Sequence, residues 1–153
     1  MLTKTELSSE TISNLLCGIV TSIKNVVPLT IQGHNHQIND QSIDIKLGVL
    51  IGITGDLNGK LILAGETPIF SSIGQSMFGM PLEGEMLDSF IGELGNMIAG
   101  SFSTIIAEYE VITDITSPMI MKGNAELSGF EKGFSVPISI GETGDMSAFL
   151  LLD

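Results

Sequence analysis

Positive charge is scarce in this chain. Six Lys and Arg stand against 18 Asp and Glu, a formal net charge of −12 over 153 residues. Without a basic footprint, nucleic acid and anionic membrane surfaces are excluded as natural partners, and a protein presenting a basic patch or a lysine is favoured. Charge of either sign is sparse, at 16% of residues. Part of the apolar surface is therefore expected to serve association. Cysteine is nearly absent. Cys17 stands alone, which rules out an intramolecular disulfide and points to a reducing, cytoplasmic location. Lying among apolar helix residues, it is expected to be buried and inert. The opening Met-Leu-Thr-Lys-Thr-Glu-Leu-Ser-Ser-Glu lacks the apolar core of a secretory signal. The longest apolar stretch, around Leu47 to Ile53, is broken by glycines, so a soluble protein is expected.

Several catalytic constellations are missing too. No Ser-His-Asp grouping assembles. Thr54-Gly-Asp and Gly55-x3-Gly59 are too short for a phosphate cradle and lack the lysine–hydroxyl ending of a P-loop. His34 and His36 would set two imidazoles on one side of a strand, but no Cys, His or acid cluster completes the set. Gly33 and Asn35 mark that region as a turn, and no metal site is expected.

What is present is a well-filled core, with 43% hydrophobic residues and a mean hydropathy of +0.41. The length suits one domain spanning 1–153, able to bury roughly 68–70% of its unfolded surface. Ile12, Leu15, Leu16, Ile19, Val20 and Ile23 recur at helical spacing and predict an amphipathic helix over 8–26, ended by Pro28. Extended segments are expected at 29–32 and 42–53, with a turn region between them. Asp56-Leu-Asn-Gly59 reads as a hairpin leading into 60–64. Thr67-Pro68 reads as an N-cap and first helical residue of a short helix to about Met77. A long helix is predicted over 83–108, then strands at 111–114, 118–122, 134–140 and 147–152.

Thr54–Leu63 and Thr143–Leu152 resemble one another, each reading as a strand, a Thr-Gly-Asp turn and an apolar strand. The expected fold class is therefore α+β, with pseudo-duplicated helix-plus-strands halves and two long helices packed on one largely antiparallel sheet. Aligning Ile12 with Ile91 sets Asn14 and Cys17 against Glu93 and Asn96, so one functional site per chain is expected.

The long helix carries the functional signal. Ser89, Glu93 and Asn96 are spaced i, i+4 and i+7, within about 60° of one another around the axis. Gly100, Thr104 and Ala107 continue this stripe, with Glu85 and Ser103 at its edge. Leu87, Ile91, Leu94, Ile98, Phe102 and Ile105 fill the other side. Met86, Phe90 and Met97 flank the stripe as apolar contacts. Each helical glycine costs about 1 kcal/mol relative to Ala, so Gly92, Gly95 and Gly100 need a reason. Gly95 faces the core and suits close packing on a sheet. Gly92 and Gly100 border the stripe and leave it open to a neighbour.

Ser89-x3-Glu93-x2-Asn96, followed 22 positions later by Pro118, resembles the signature of the CheC/CheX/FliY chemotaxis phosphatases. The string Ile91-Gly-Glu-Leu-Gly-Asn-Met-Ile-Ala-Gly100 is similar to the CheX branch in particular. So are Ile51-Gly-Ile-Thr-Gly55 and Asp114-Ile-Thr-Ser-Pro118. The resemblance covers essentially the whole chain. It implies hydrolysis of the aspartyl phosphate on a CheY-like response regulator, with Glu93 engaging the regulator's active-site lysine and Asn96 positioning the attacking water. It implies no cofactor of the chain's own, Mg²⁺ being supplied by the regulator, and a homodimer. Ser89, Gly92, Met97, Gly100, Ser103 and Pro118 are the expected partner-binding residues. A non-catalytic adaptor of the flagellar-switch type is the alternative.

The chemistry is coherent in its own right. An amide does not titrate near neutrality, so Asn96 cannot be a general base; it can accept one hydrogen bond and donate another, fixing a water. An acyl phosphate is already reactive and gains most from alignment. Glu93 has no second acid at i+3 or i+4, so it suits a single Lys⁺ rather than a carboxylate pair. The apolar last strand, Phe149-Leu-Leu-Leu152, would make an awkward free edge and favours a dimer.

Overall fold

The computed structural model describes residues 8–33 and 41–153, and the backbone of 36–38. Helix α1 (Ser9–Val26) begins where the Ser8 hydroxyl accepts a hydrogen bond from the Thr11 N–H at 3.1 Å. Strands β1 (Ile31–Gly33), β2 (His36–Ile38), β3 (Ser42–Gly55) and β4 (Gly59–Ala64) follow. Helices α2 (Thr67–Phe78) and α3 (Gly84–Ala107) come next, then β5 (Thr113–Ile115), β6 (Met119–Ser128), β7 (Lys132–Ile140) and β8 (Gly144–Leu152).

Two local expectations are corrected, and a third is extended. The turn region between β1 and β3 contains β2, whose backbone pairs with β7. His34 lies outside the described residues, as does the His36 side chain. Thr67 opens α2, and Glu66 occupies the cap position without a side-chain cap bond. Ser42–Gly55 is a long strand with a register shift between Ile45 and Leu47, which lets it bend.

All strand pairings are antiparallel, and they reveal how the two halves share one sheet. β4 lies against β8 at the centre, each being one arm of a hairpin, β3–β4 or β7–β8. β1 and β2 of the first half pair with β7 of the second. β5 and β6 of the second half pair with β3 of the first. Every strand thus has a counterpart in the other half, with α1 corresponding to α3 and α2 outside the repeat. Leu61 pairs with Leu150 near the middle of that central β4–β8 contact.

The equivalence of the two Thr-Gly-Asp strings does not hold. Thr54-Gly55 ends β3, whereas Gly144-Asp145 opens β8, because the two hairpins turn at different points. The expectation that the final strand would be an edge also fails. β8 is sandwiched between β4 and β7, and its Leu150, Leu151 and Leu152 are buried.

One face of the sheet carries the main core. Val49, Ile51, Leu61, Leu63, Val136, Ile138 and Leu150 meet Leu15, Ile19, Ile23, Ile91, Leu94, Ile98 and Phe102 from the helices. Full burial of each such side chain contributes about 1.5–3 kcal/mol. The helices touch closely because Gly18 of α1 leaves room for Phe102 and Ile106 of α3. On the other face, Ile45, Ile62, Met121 and Leu151 form a smaller cluster beneath the bent β3–β6 ribbon. By length and composition alone α3 could cross a bilayer, but half of its apolar window is buried inside the fold, as befits a core helix.

Candidate active site

The sequence-predicted stripe is real. Ser89, Glu93, Asn96, Thr104 and Ala107 are exposed along α3, while Leu87, Ile91, Leu94, Ile98 and Phe102 are buried. Ile105 is only half-buried, and Ile106 is the buried residue of that turn. Neither the Glu93 nor the Asn96 side chain hydrogen-bonds or pairs with another described residue. An acid and an amide one turn apart therefore stand ready for an external partner.

The helix is held with little rotational slack. A Cβ on Gly95 would lie 2.6 Å from Val49 Cγ1 and 2.9 Å from Ile51 Cδ1, so the missing side chain lets α3 sit directly on β3. This contact turns Glu93 and Asn96 away from the sheet. On the flank, Gly92 is buried, and a Cβ there would lie 3.4 Å from Ile120 Cδ1 and 3.8 Å from Pro118 Cγ. Gly92 thus does not present itself to a partner. The segment carrying Pro118 and Ile120 covers it beside Glu93, at a spacing where a Cβ would make ordinary contact. Gly100 differs, with nothing within 4 Å of its would-be Cβ.

Other expected contact residues fall out unevenly. Pro118 is exposed, and Met97 and Gly100 are half-buried at the stripe's border. Ser103 is engaged internally, its hydroxyl lying 2.9 Å from Thr113 Oγ1 and 3.2 Å from the Thr113 carbonyl, which ties α3 to β5. Phe90 is not a surface contact. It is 4% exposed and meets the Phe78 ring edge-on at 5.7 Å, because it points between α2 and α3. Cys17 is exposed, contrary to expectation, since α1 buries the side that holds Leu15, Leu16 and Ile19.

Two features escaped sequence reasoning. Lys122 Nζ lies 2.9 Å from Asp88 Oδ2, linking β6 to α3 one residue before Ser89. Nothing in a pair 34 residues apart announces itself locally. Met119, 60% exposed, follows Pro118, and exposed Phe78 adds apolar surface near the start of α3, where Met86 is exposed as expected.

The face is a projecting helix side rather than a cavity. A cavity of about 500 Å³ lies elsewhere, between α1 and the end of α3, lined by Glu10, Asn14, Glu108, Tyr109 and Glu110 among others. By helical rise that region is about 20 Å along α3 from Glu93. Two exposed side chains on a rod cannot surround a small molecule. They can enter a concave site on another protein. Among the described residues, no three His, Cys, Asp or Glu side chains gather as metal ligands would.

Comparisons with known proteins bear on the family and the fold. The family model described as chemotaxis phosphatase CheX matches residues 47–139, which include α3 and the Pro118 segment. A relative from Thermotoga maritima, the CheY-P phosphatase CheX, is 28% identical over 145 residues, covering 91% of this chain and 93% of the relative. The crystal structure of a chemotaxis protein CheX from Desulfovibrio desulfuricans superposes with a TM-score of 0.79 at 15% identity, covering 94% of this chain and 99% of the other. A CheX–CheY–BeF3–Mg²⁺ complex from Borrelia burgdorferi gives 0.73 at 17% identity, covering 92% and 96%. With the family model matching 47–139, more than half of its length, the chain belongs to the CheX chemotaxis phosphatase family.

Proposed function

We propose that this protein hydrolyses the aspartyl phosphate of a CheY-like response regulator, the whole of 1–153 acting as one phosphatase domain. The observation that carries this reading is the exposed Glu93–Asn96 pair, unpartnered among the described residues and projecting from a helix locked onto the sheet. The name of the Thermotoga relative and the CheX–CheY complex from Borrelia support it. Glu93 docks on the regulator's active-site lysine. Asn96, one turn further on, enters beside the acyl phosphate and orients a water for in-line attack, accepting from it and donating to a neighbouring acceptor. Phosphorus–oxygen cleavage leaves the regulator's carboxylate and inorganic phosphate. Mg²⁺, present with CheY in the Borrelia complex, belongs on this reading to the regulator, where it offsets charge on the phosphoryl oxygens.

The chain's excess of acid suits a partner that presents a lysine, and cytoplasmic placement follows from a cytoplasmic substrate. A homodimer fits the low charged fraction, and β6, which among the described residues pairs with β3 alone, is a long strand left open on one side. Sedimentation at micromolar concentration tests this, and a monomer would overturn it.

The deciding assay measures phosphate release from a Mg²⁺-loaded, acyl-phosphorylated regulator with wild type and Asn96→Ala. Accelerated release that Asn96→Ala abolishes is expected. Unaltered release in the variant would favour a flagellar-switch-type adaptor.

A further inference from the structure

The two strings outside α3 that carry the family resemblance, Ile51–Gly55 and Asp114–Pro118, touch one another. Thr116 N–H donates to the Gly52 carbonyl at 3.0 Å, and Gly52 N–H donates to Thr116 Oγ1 at 2.8 Å. A Cβ on Gly52 would lie 2.9 Å from that hydroxyl oxygen and 3.0 Å from Thr116 Cγ2, so only glycine leaves room for the threonine. At the other end of β5, Gly55 has φ +111°, and a Cβ there would lie 2.7 Å from the Ile112 carbonyl oxygen. Asp56 Oδ2 then accepts the Ile112 N–H at 2.9 Å. Thr54-Gly-Asp56 is thus a fastening for β5, and Gly52–Thr116 is the fastening nearest the active face.

Two residues beyond Thr116, Pro118 borders Gly92, the residue before Glu93, its Cγ 3.8 Å from where a Gly92 Cβ would stand. Thr116, Ser117, Pro118 and Met119 are all exposed and form a ledge along this flank. It is anchored at one end by the two Thr116–Gly52 hydrogen bonds and borders Gly92 of α3 at the other. We infer that Thr116, held by Gly52, is a positioning residue that sets the height of the Pro118–Met119 ledge, and that a docked regulator seats against this ledge while Glu93 and Asn96 enter its site. The inference rests on the phosphatase reading above. Replacing the hydroxyl by a methyl leaves Gly52 N–H facing carbon, so the segment must lift for water to reach that donor.

The test compares Thr116→Val, Thr116→Ser and the distant core variant Ile140→Val in the phosphate-release assay, with melting temperatures alongside. For Thr116→Val, KM for the phosphorylated regulator is expected to rise by about tenfold, with kcat within about twofold. Thr116→Ser restores KM, and Ile140→Val lowers the melting temperature without changing KM. Amide exchange at Gly52, and the Gly92 and Glu93 amide shifts, should change in Thr116→Val only. Unchanged KM in Thr116→Val, or an equal rise in Ile140→Val, would overturn the inference while leaving the phosphatase intact. Wild-type protein that fails to speed phosphate release would overturn the phosphatase reading instead.

Discussion

Helices α1 and α3 occupy equivalent places in the two halves, yet only α3 carries the Glu93–Asn96 pair on which the proposed chemistry rests. Both lie on the same face of the sheet, and Leu15, Ile19 and Ile23 of α1 match Leu94, Ile98 and Phe102 of α3 in being buried. Where α3 presents Glu93 and Asn96, α1 has half-buried Asn14 and exposed Cys17. Their surroundings differ as much as their residues. Glu93 is flanked by the Pro118 ledge, whereas Asn14 shares a cavity with Glu10, Glu108 and Glu110, whose charge would repel an acyl phosphate. Duplicating a fold therefore duplicates the scaffold and leaves the site to whichever half keeps both the side chains and their frame.

The comparison breaks most visibly at Asn96. Asn96→Ala should slow phosphate release by about 10²–10³, in line with loss of one preorganised hydrogen-bonding group, with docking retained. Adding Asn14→Glu and Cys17→Asn to that variant should restore nothing, because α1 has acids where α3 has a ledge. Single-turnover assays read both, and recovered turnover in the triple variant would show that the frame is dispensable. Glu93→Ala acts on docking instead, weakening it by about 2–5 kcal/mol if its lysine partner is left unpaired in a desolvated interface. Titration calorimetry against a beryllofluoride-activated regulator checks this.

The glycines sharpen the comparison further. Gly95→Ala forces a methyl against Val49 and Ile51 and should destabilise by about 1–3 kcal/mol, read by urea melts. Gly100→Ala meets open space within the same helix and should stabilise by up to about 1 kcal/mol. If that methyl also weakens docking, the glycine serves the partner; if docking is untouched, Gly100 is a bystander.

Much of this was readable without coordinates because it rests on periodicity. The i, i+4, i+7 placement of Ser89, Glu93 and Asn96 follows from 3.6 residues per turn, and the apolar repeat opposite them dictates which side meets the sheet. The bounds of α1 and α3 follow within a residue from their punctuation and apolar pattern. Phe90 and Cys17 were misjudged for one reason: at the border of an amphipathic helix, the neighbouring element decides burial. Phe90 found Phe78 of α2, whereas Cys17 found no cover.

Local pattern determined that this protein would be acidic and two-layered, with one helix face cleared for a partner. Only tertiary structure decided that the last strand lies at the centre of the sheet, that each half lends its outer strands to the other, and that Thr116 fastens the Pro118 ledge beside Glu93. Those outcomes depend on pairings such as Gly52 with Thr116, 64 residues apart. Their energies arise only once chain closure has brought the partners together, so no window of neighbouring residues records them.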